Sequence, residues 1–158
     1  MTTSLDLNVS MPELTRTLLD IYSVSGEEKT IADAVYEALS AYPHLHLTRD
    51  GDAMIARTEF GPRNGEERTR ILLAGHLDTV PLPTVAGSLG TVPASIVEDN
   101  GDWILYGRGA TDMKGGVAVQ LKLAAELGEH DTDYNLTYVF YDHEEVASEL
   151  SGMARLIR

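Results

Sequence analysis

The stretch Ile71-Leu72-Leu73-Ala74-Gly75-His76-Leu77-Asp78 is a short apolar run that ends in a histidine and an aspartate. An unbroken run of this length fits a strand buried on both faces, as in α/β sheets. A second run, residues 136–141, ends in Asp142-His143-Glu144-Glu145. Between them, residues 103–106 read as a short strand after the turn Asp99-Asn100-Gly101. That strand leads into Gly107-Arg108-Gly109-Ala110-Thr111-Asp112. Residues 112–127 then read as a helix, with Val117, Leu121, Ala124 and Leu127 on one side and Gly128 at a left-handed C-cap. Residues 148–157 begin another helix.

Upstream, the pattern is helical first. Ser10-Met11-Pro12-Glu13 is a capping-box pattern with proline in the first turn. Leu14, Leu18 and Ile21 follow at helical spacing, which predicts an amphipathic helix over 11–22. A second capping box, Ser25-Gly26-Glu27-Glu28, precedes a helix lined by Ile31, Val35 and Leu39, which Pro43 stops. Leu45, Leu47, Met54 and Ile55 flank the turn signal Arg49-Asp50-Gly51-Asp52, so a hairpin is expected there. Residues 60–70 and 81–96 read as loops, the latter with Pro81, Pro83 and Pro93. The order of helices, hairpin, then strand–strand–helix–strand–helix argues for an α/β domain with a mixed sheet. Ligands in such sheets collect beyond the carboxyl ends of the strands.

Composition narrows the function. The 158 residues hold 12 Lys+Arg against 25 Asp+Glu, a net charge of −13, and 43% are hydrophobic. This is globular composition, and the length suits one domain. With no cysteine, disulfide scaffolds, thiolate-ligated zinc and thiol nucleophiles are excluded. The acidity opposes binding to nucleic acid or to an anionic membrane surface. No apolar run approaches the ~18 residues of a membrane span, and MTTSLDLNVS lacks the layout of a signal peptide. A cytoplasmic protein is the expectation.

The chemistry lies in the three segments that follow strands. His76 and Asp78 are two apart and point the same way on an extended chain. Asp112 sits at a strand-to-helix junction, and Glu144 and Glu145 follow the last strand. Taken singly, each has an ordinary reading: an incidental His-x-Asp, a helix N-cap, a solvated helix start. If the three strand ends converge, four carboxylates and an imidazole share one pocket. Such crowding raises carboxyl pKa values unless a divalent cation relieves it. Imidazole with carboxylates and no thiolate suits zinc, manganese or cobalt. A divalent cation brings the pKa of water it binds near ~7, and two can share a bridging carboxylate. A base that is not a ligand is still needed. Neighbouring Glu144 and Glu145 can divide those jobs because they face opposite ways. The glycines of 107–116 lack the Gly-Lys-Ser/Thr ending of a phosphate loop. His44, His46 and His130 rank low, and His143 should face away from Glu144. Of the nearby cations, Arg108 and Lys114, the latter is expected at the exposed start of its helix.

Gly-His-Leu-Asp-Thr-Val-Pro (75–81), Tyr-Gly-Arg-Gly-Ala-Thr-Asp-Met-Lys-Gly-Gly (106–116) and Glu144-Glu145 together resemble the metallopeptidase/deacylase family. That family includes desuccinylases, acetylornithine deacetylases, aminoacylases and carboxypeptidases, and the wording is most similar to its actinobacterial desuccinylase branch. The resemblance implies the N-terminal part of a zinc-exopeptidase-like catalytic domain with flanking helices. It implies two zinc, cobalt or manganese ions. His76 would ligate one, Glu145 the other, and Asp112, preceding a cis peptide to Met113, would bridge both. Glu144 would be the general base, and Asp78 would orient His76. The implied reaction is hydrolysis of a small N-acyl amino acid, N-succinyl-LL-diaminopimelate, in a homodimeric enzyme of lysine and cell-wall synthesis. An acetylornithine deacetylase, aminoacylase or dipeptidase is the alternative within the family. Two departures stand out. Val146-Ala147-Ser148 replaces the family's usual glycine after the glutamates. The family's further acidic and histidine ligands, its lid and dimerisation domain and the rest of its catalytic domain have no counterpart in 1–158. Residues 1–158 are therefore expected to be a single partial catalytic domain, and a catalytically inactive folding or dimerisation unit is the alternative of another class.

Overall fold

The computed structural model describes residues 4–128 and 130–157. The first three residues of MTTSLDLNVS and Glu129 of the acidic turn lie outside the described residues. Helices α1 (Met11–Leu19) and α2 (Lys29–Ser40) come first, then strands β1 (His46–Asp50) and β2 (Ala53–Arg57). Strands β3 (Arg70–His76), β4 (Ser95–Asp99) and β5 (Asp102–Tyr106), helix α3 (Gly115–Glu126), strand β6 (Asn135–Tyr141) and helix α4 (Gly152–Leu156) follow. The main sheet has the order β1-β2-β6-β3. β1/β2 and β2/β6 are antiparallel and β3/β6 is parallel, so the architecture is α/β with a mixed sheet. No helix among the described residues is long and apolar enough to cross a membrane.

The core forms where strand and helix periods meet. Alternate residues of β6, Leu136, Tyr138 and Phe140, share one face with Met54 and Ala56 of β2. Leu14 and Leu18 of α1, Ile31, Val35 and Leu39 of α2, and Val117, Leu121 and Ala124 of α3 close over that face. Each of these helical leucines is worth ~1.5–3 kcal/mol once fully buried. The hairpin turns at Gly51, whose φ of +62° suits glycine.

Several expectations are corrected. β3 is not buried on both faces: Leu72 is 59% exposed, and burial begins only toward His76. It occupies the sheet edge, with β6 its one neighbour in the sheet. The stretch read as loop, 81–96, overlaps the start of β4, which runs Ser95–Asp99, and β4 with β5 makes a separate two-stranded sheet. Asn100 and Gly101, both at positive φ, close that hairpin. The second motif therefore does not follow a buried strand, and Trp103 of β5 is 73% exposed. Helix α1 ends at Leu19, short of residue 22, with Asp20 at its C-cap, and the Ile21 carbonyl just beyond accepts from the Lys114 ammonium at 2.7 Å. The third helix starts at Gly115, after a π turn at Ala110–Lys114. Gly128 is not at positive φ. Residues 148–157 divide into a 3-10 turn, Ser148–Leu150, and α4. The capping box expected at 25–28 does not form: Glu28 stands at the N-cap of α2, but its side chain and that of Ser25 bond elsewhere.

Candidate metal centre

The parallel register sets His76 opposite Tyr141, so β3 and β6 end at the same level. The Leu77 amide donates to the Tyr141 carbonyl at 2.8 Å, extending the pairing one step. The His76 and Tyr141 rings meet edge to face at 6.2 Å. A cleft of about 470 Å³ at this end is lined by Glu145 with Val80, Tyr106, Arg108 and Asp112, and a donor atom of His76 lies within 4.8 Å of one of Glu145.

His76 is 3% exposed. Its Nδ1 donates to the backbone carbonyl of Asp78 at 2.9 Å, with Asp78 Oδ1 farther away at 3.5 Å. Its Nε2 lies 3.0 Å from Asp112 Oδ1. Burial disfavours the imidazolium, but the bonds to Asp78 and Asp112 more than offset it, and the pKa is pushed up to about 9. The main chain thus fixes Nδ1 as the donor and leaves Nε2 facing the cleft.

The Asp78 carboxylate has further work. Oδ1 accepts from the Glu144 amide at 3.0 Å; Oδ2 accepts from the Glu145 amide at 3.0 Å and from the Ser25 hydroxyl at 2.6 Å. Burial opposes its ionisation. Hydrogen bonds from His76, Ser25, Glu144 and Glu145 outweigh burial and hold the carboxyl well below its ordinary range. A group depressed in the folded state stabilises fully above its unfolded pKa of ~3.9 and loses that contribution as pH falls toward the folded value. Asp78→Asn should therefore cost about 3 kcal/mol between pH ~5 and ~6. The gap to wild type should begin to narrow below pH ~4 and shrink steadily with further acidification, as read by urea unfolding across pH.

The donor atoms of His76, Glu144 and Glu145 all lie within 4.8 Å of one another. Asp112 joins through Nε2 of His76 and is not within that group of three. Glu144 is exposed and Glu145 half-buried. Burial, with the charges of Asp112, Glu144 and Asp78, raises the Glu145 pKa against the lowering effect of His76. One imidazole and clustered, mutually repelling carboxylates without thiolate form a donor set that fits a borderline divalent cation.

The 107–116 segment owes its glycines to close packing rather than to anion binding. A Cβ on Gly107 would lie 2.8 Å from Leu19 Cδ1, and one on Gly109 2.7 Å from Thr79 Cγ2. The Asp112–Met113 peptide is cis, as the resemblance implied. Lys114 is not exposed: it is 1% accessible and bonded to Ile21, and burial lowers its pKa to about 8 against the charge of Asp20. Arg108 is left as the cation lining the cleft. His143 turns away from the cluster, its Nδ1 2.8 Å from Asp142 Oδ2. His44 bonds the Ala124 carbonyl at 2.8 Å. Ser25 and Glu28, read as a helix cap, are the residues near the site that sequence reasoning missed. Their only signal was a motif with a simpler local explanation.

The strand ends thus carry a cluster of imidazole and carboxylates on a mixed α/β sheet, a group that could hold a metal ion. Residues 72–158 match peptidase family M20/M25/M40, and the chain belongs to that family. It is 46% identical, over 98% of its length and 39% of the relative's, to a Mycobacterium tuberculosis protein named "Putative succinyl-diaminopimelate desuccinylase DapE". It is 40% identical, over 90% of its length, to 36% of the Corynebacterium glutamicum succinyl-diaminopimelate desuccinylase. The chain thus spans about two fifths of the length of these curated relatives. Among solved structures, human carnosine dipeptidase 1 matches 93% of this chain with 34% of its own, at TM-score 0.67 and 20% identity. The M20 family metallo-carboxypeptidase of Sulfolobus solfataricus matches 87% of this chain with 31% of its own, at TM-score 0.66 and 19% identity. These two likenesses are of fold.

Proposed function

We propose that this chain is the metal-holding N-terminal part of the catalytic domain of an N-acyl amide hydrolase acting on N-succinyl-LL-diaminopimelate. The observation that carries the reading is the grouping of His76, Glu144 and Glu145 donor atoms within 4.8 Å at the ends of two parallel strands. Identity to the two desuccinylases supports the substrate. The further ligands, the lid and the dimer contacts belong, on this reading, to the remainder of a homodimeric cytoplasmic enzyme.

His76, Asp112 and Glu145 would hold zinc, cobalt or manganese, two ions per complete site. The cation would supply Lewis-acid polarisation of the scissile carbonyl and make water acidic enough to ionise near neutrality. Glu144, the exposed member of the pair, takes a proton from the attacking water. The oxygen of that water bonds to the acyl carbon, the C–N bond breaks, and the Glu144 proton passes to the departing amine. Succinate and a free amine result. Asp78 fixes the two glutamates through their amides, and its carbonyl fixes the imidazole.

The complete polypeptide, loaded with zinc or cobalt, should release succinate from N-succinyl-LL-diaminopimelate and stop when chelator is added. No chelator-sensitive release would overturn the substrate. Preferred turnover of N-acetylornithine or a dipeptide in parallel assays would move the protein to another branch of the family.

A further inference from the structure

Three consecutive amides after β6 are captured by two buried carboxylates. The His143 amide donates to Glu28 Oε1 at 3.2 Å, the Glu144 amide to Asp78 Oδ1 at 3.0 Å and the Glu145 amide to Asp78 Oδ2 at 3.0 Å. Consecutive amides around a residue at positive φ form a concavity that attracts an anion. His143, at φ +57°, creates one here. Protein carboxylates fill it, so the concavity fixes a turn rather than awaiting a ligand.

Both carboxylates are tied to one short segment before α2. Glu28 is 1% exposed and lies in that segment; its Oε2 accepts from the Gly26 amide at 2.9 Å. Ser25 donates its hydroxyl to Asp78 at 2.6 Å and its amide to the Thr79 carbonyl at 3.1 Å. The Thr79 amide returns to the Ser23 carbonyl at 2.9 Å, and the Ser23 hydroxyl bonds the Leu77 carbonyl at 2.8 Å. Residues 23–28 are therefore laced along the chain that leaves β3 and pinned across to the chain that leaves β6. A glutamate reaches from Gly26 to His143 with one acceptor oxygen for each. Alanine would leave both amides without an acceptor, and glutamine keeps only one acceptor. The Glu28 carboxylate thus accepts from two amides, stands at the N-terminus of α2 and lies 3.5 Å from the His143 ring nitrogen.

We infer that Glu28, with Ser25 acting through Asp78, is a positioning residue that sets the backbone of the Glu144–Glu145 pair. The inference rests on the proposed roles of that pair, so the test has one arm that needs no metal. Amide hydrogen exchange is read residue by residue by NMR in the wild-type chain, in Glu28→Ala and in Glu28→Gln. Cobalt(II) alone is then titrated into each.

In Glu28→Ala, exchange at His143, Glu144 and Glu145 should accelerate at least ~10-fold more than at Tyr138, whose place in the central strand reports global opening. Cobalt affinity should fall about 10–100-fold, the usual effect of losing a partner that orients ligands. Glu28→Gln should give a smaller change of the same kind, and it serves as the deciding variant where alanine does not fold. Acceleration at 143–145 that merely matches Tyr138 would overturn the inference, as would wild-type cobalt affinity in a variant whose turn has loosened. Wild-type chain that takes up no cobalt would instead overturn the metal reading, leaving the exchange arm to decide whether Glu28 holds the turn.

Discussion

Glu144→Gln in the complete enzyme is expected to lower kcat by about 10²–10⁴-fold, the usual worth of a positioned general base. KM and metal content should change little. The amide side chain keeps the size of the carboxylate but cannot accept the proton of water at neutral pH. The physical basis is the difference between the two neighbours: Glu144 is exposed and Glu145 half-buried. Both amides are clamped by Asp78, so their side chains leave one rigid turn. The outcome is read by steady-state kinetics together with metal analysis of the purified variant. Loss of metal along with activity would make Glu144 a ligand, which its closeness to His76 also permits geometrically. Full activity would remove it as the base.

His76→Ala should have the largest effect on metal binding. His76 is the one imidazole in the donor cluster, and it is the best-prepared donor there. It is buried, its Nδ1 is committed to the Asp78 carbonyl, and its Nε2 faces Asp112. Alanine removes a neutral nitrogen ligand and leaves only carboxylates, a set better suited to harder cations. Zinc affinity by calorimetry should fall by more than the about 10–100-fold typical of partners that merely orient ligands. The Asp78 bonds to the 144 and 145 amides do not involve the imidazole, so the turn should stay formed. Unchanged zinc affinity would place the ion elsewhere.

Much of this was legible in the residues, and the failures share a cause. The hairpin at Gly51 announced itself because its turn chemistry is local. So did the start of α1, where Glu13 reaches back to Ser10. The candidate-site residues could be picked out because acids and a histidine directly follow apolar runs, and parallel pairing puts the ends of β3 and β6 together. The errors came where a side chain found a distant partner. Ser25-Gly26-Glu27-Glu28 has the spacing of a capping box, yet Ser25 bonds a residue 53 positions on and Glu28 one 115 positions on. Lys114 looked like a solvated helix start, but it bonds the Ile21 carbonyl, just past α1, at a sequence distance of 93. The exposure of β3 depends on its place at the sheet edge, and the strand's composition carries no trace of that.

The central claim is that these strand ends form one metal-holding centre. It is tested most directly by anomalous diffraction from crystals of the chain grown with zinc or cobalt. The account predicts a peak about 2.0–2.1 Å from Nε2 of His76, in contact with carboxylate oxygens of Asp112 or Glu145. Peaks confined to other residues, with His76 Nε2 still bonded to Asp112, would contradict it.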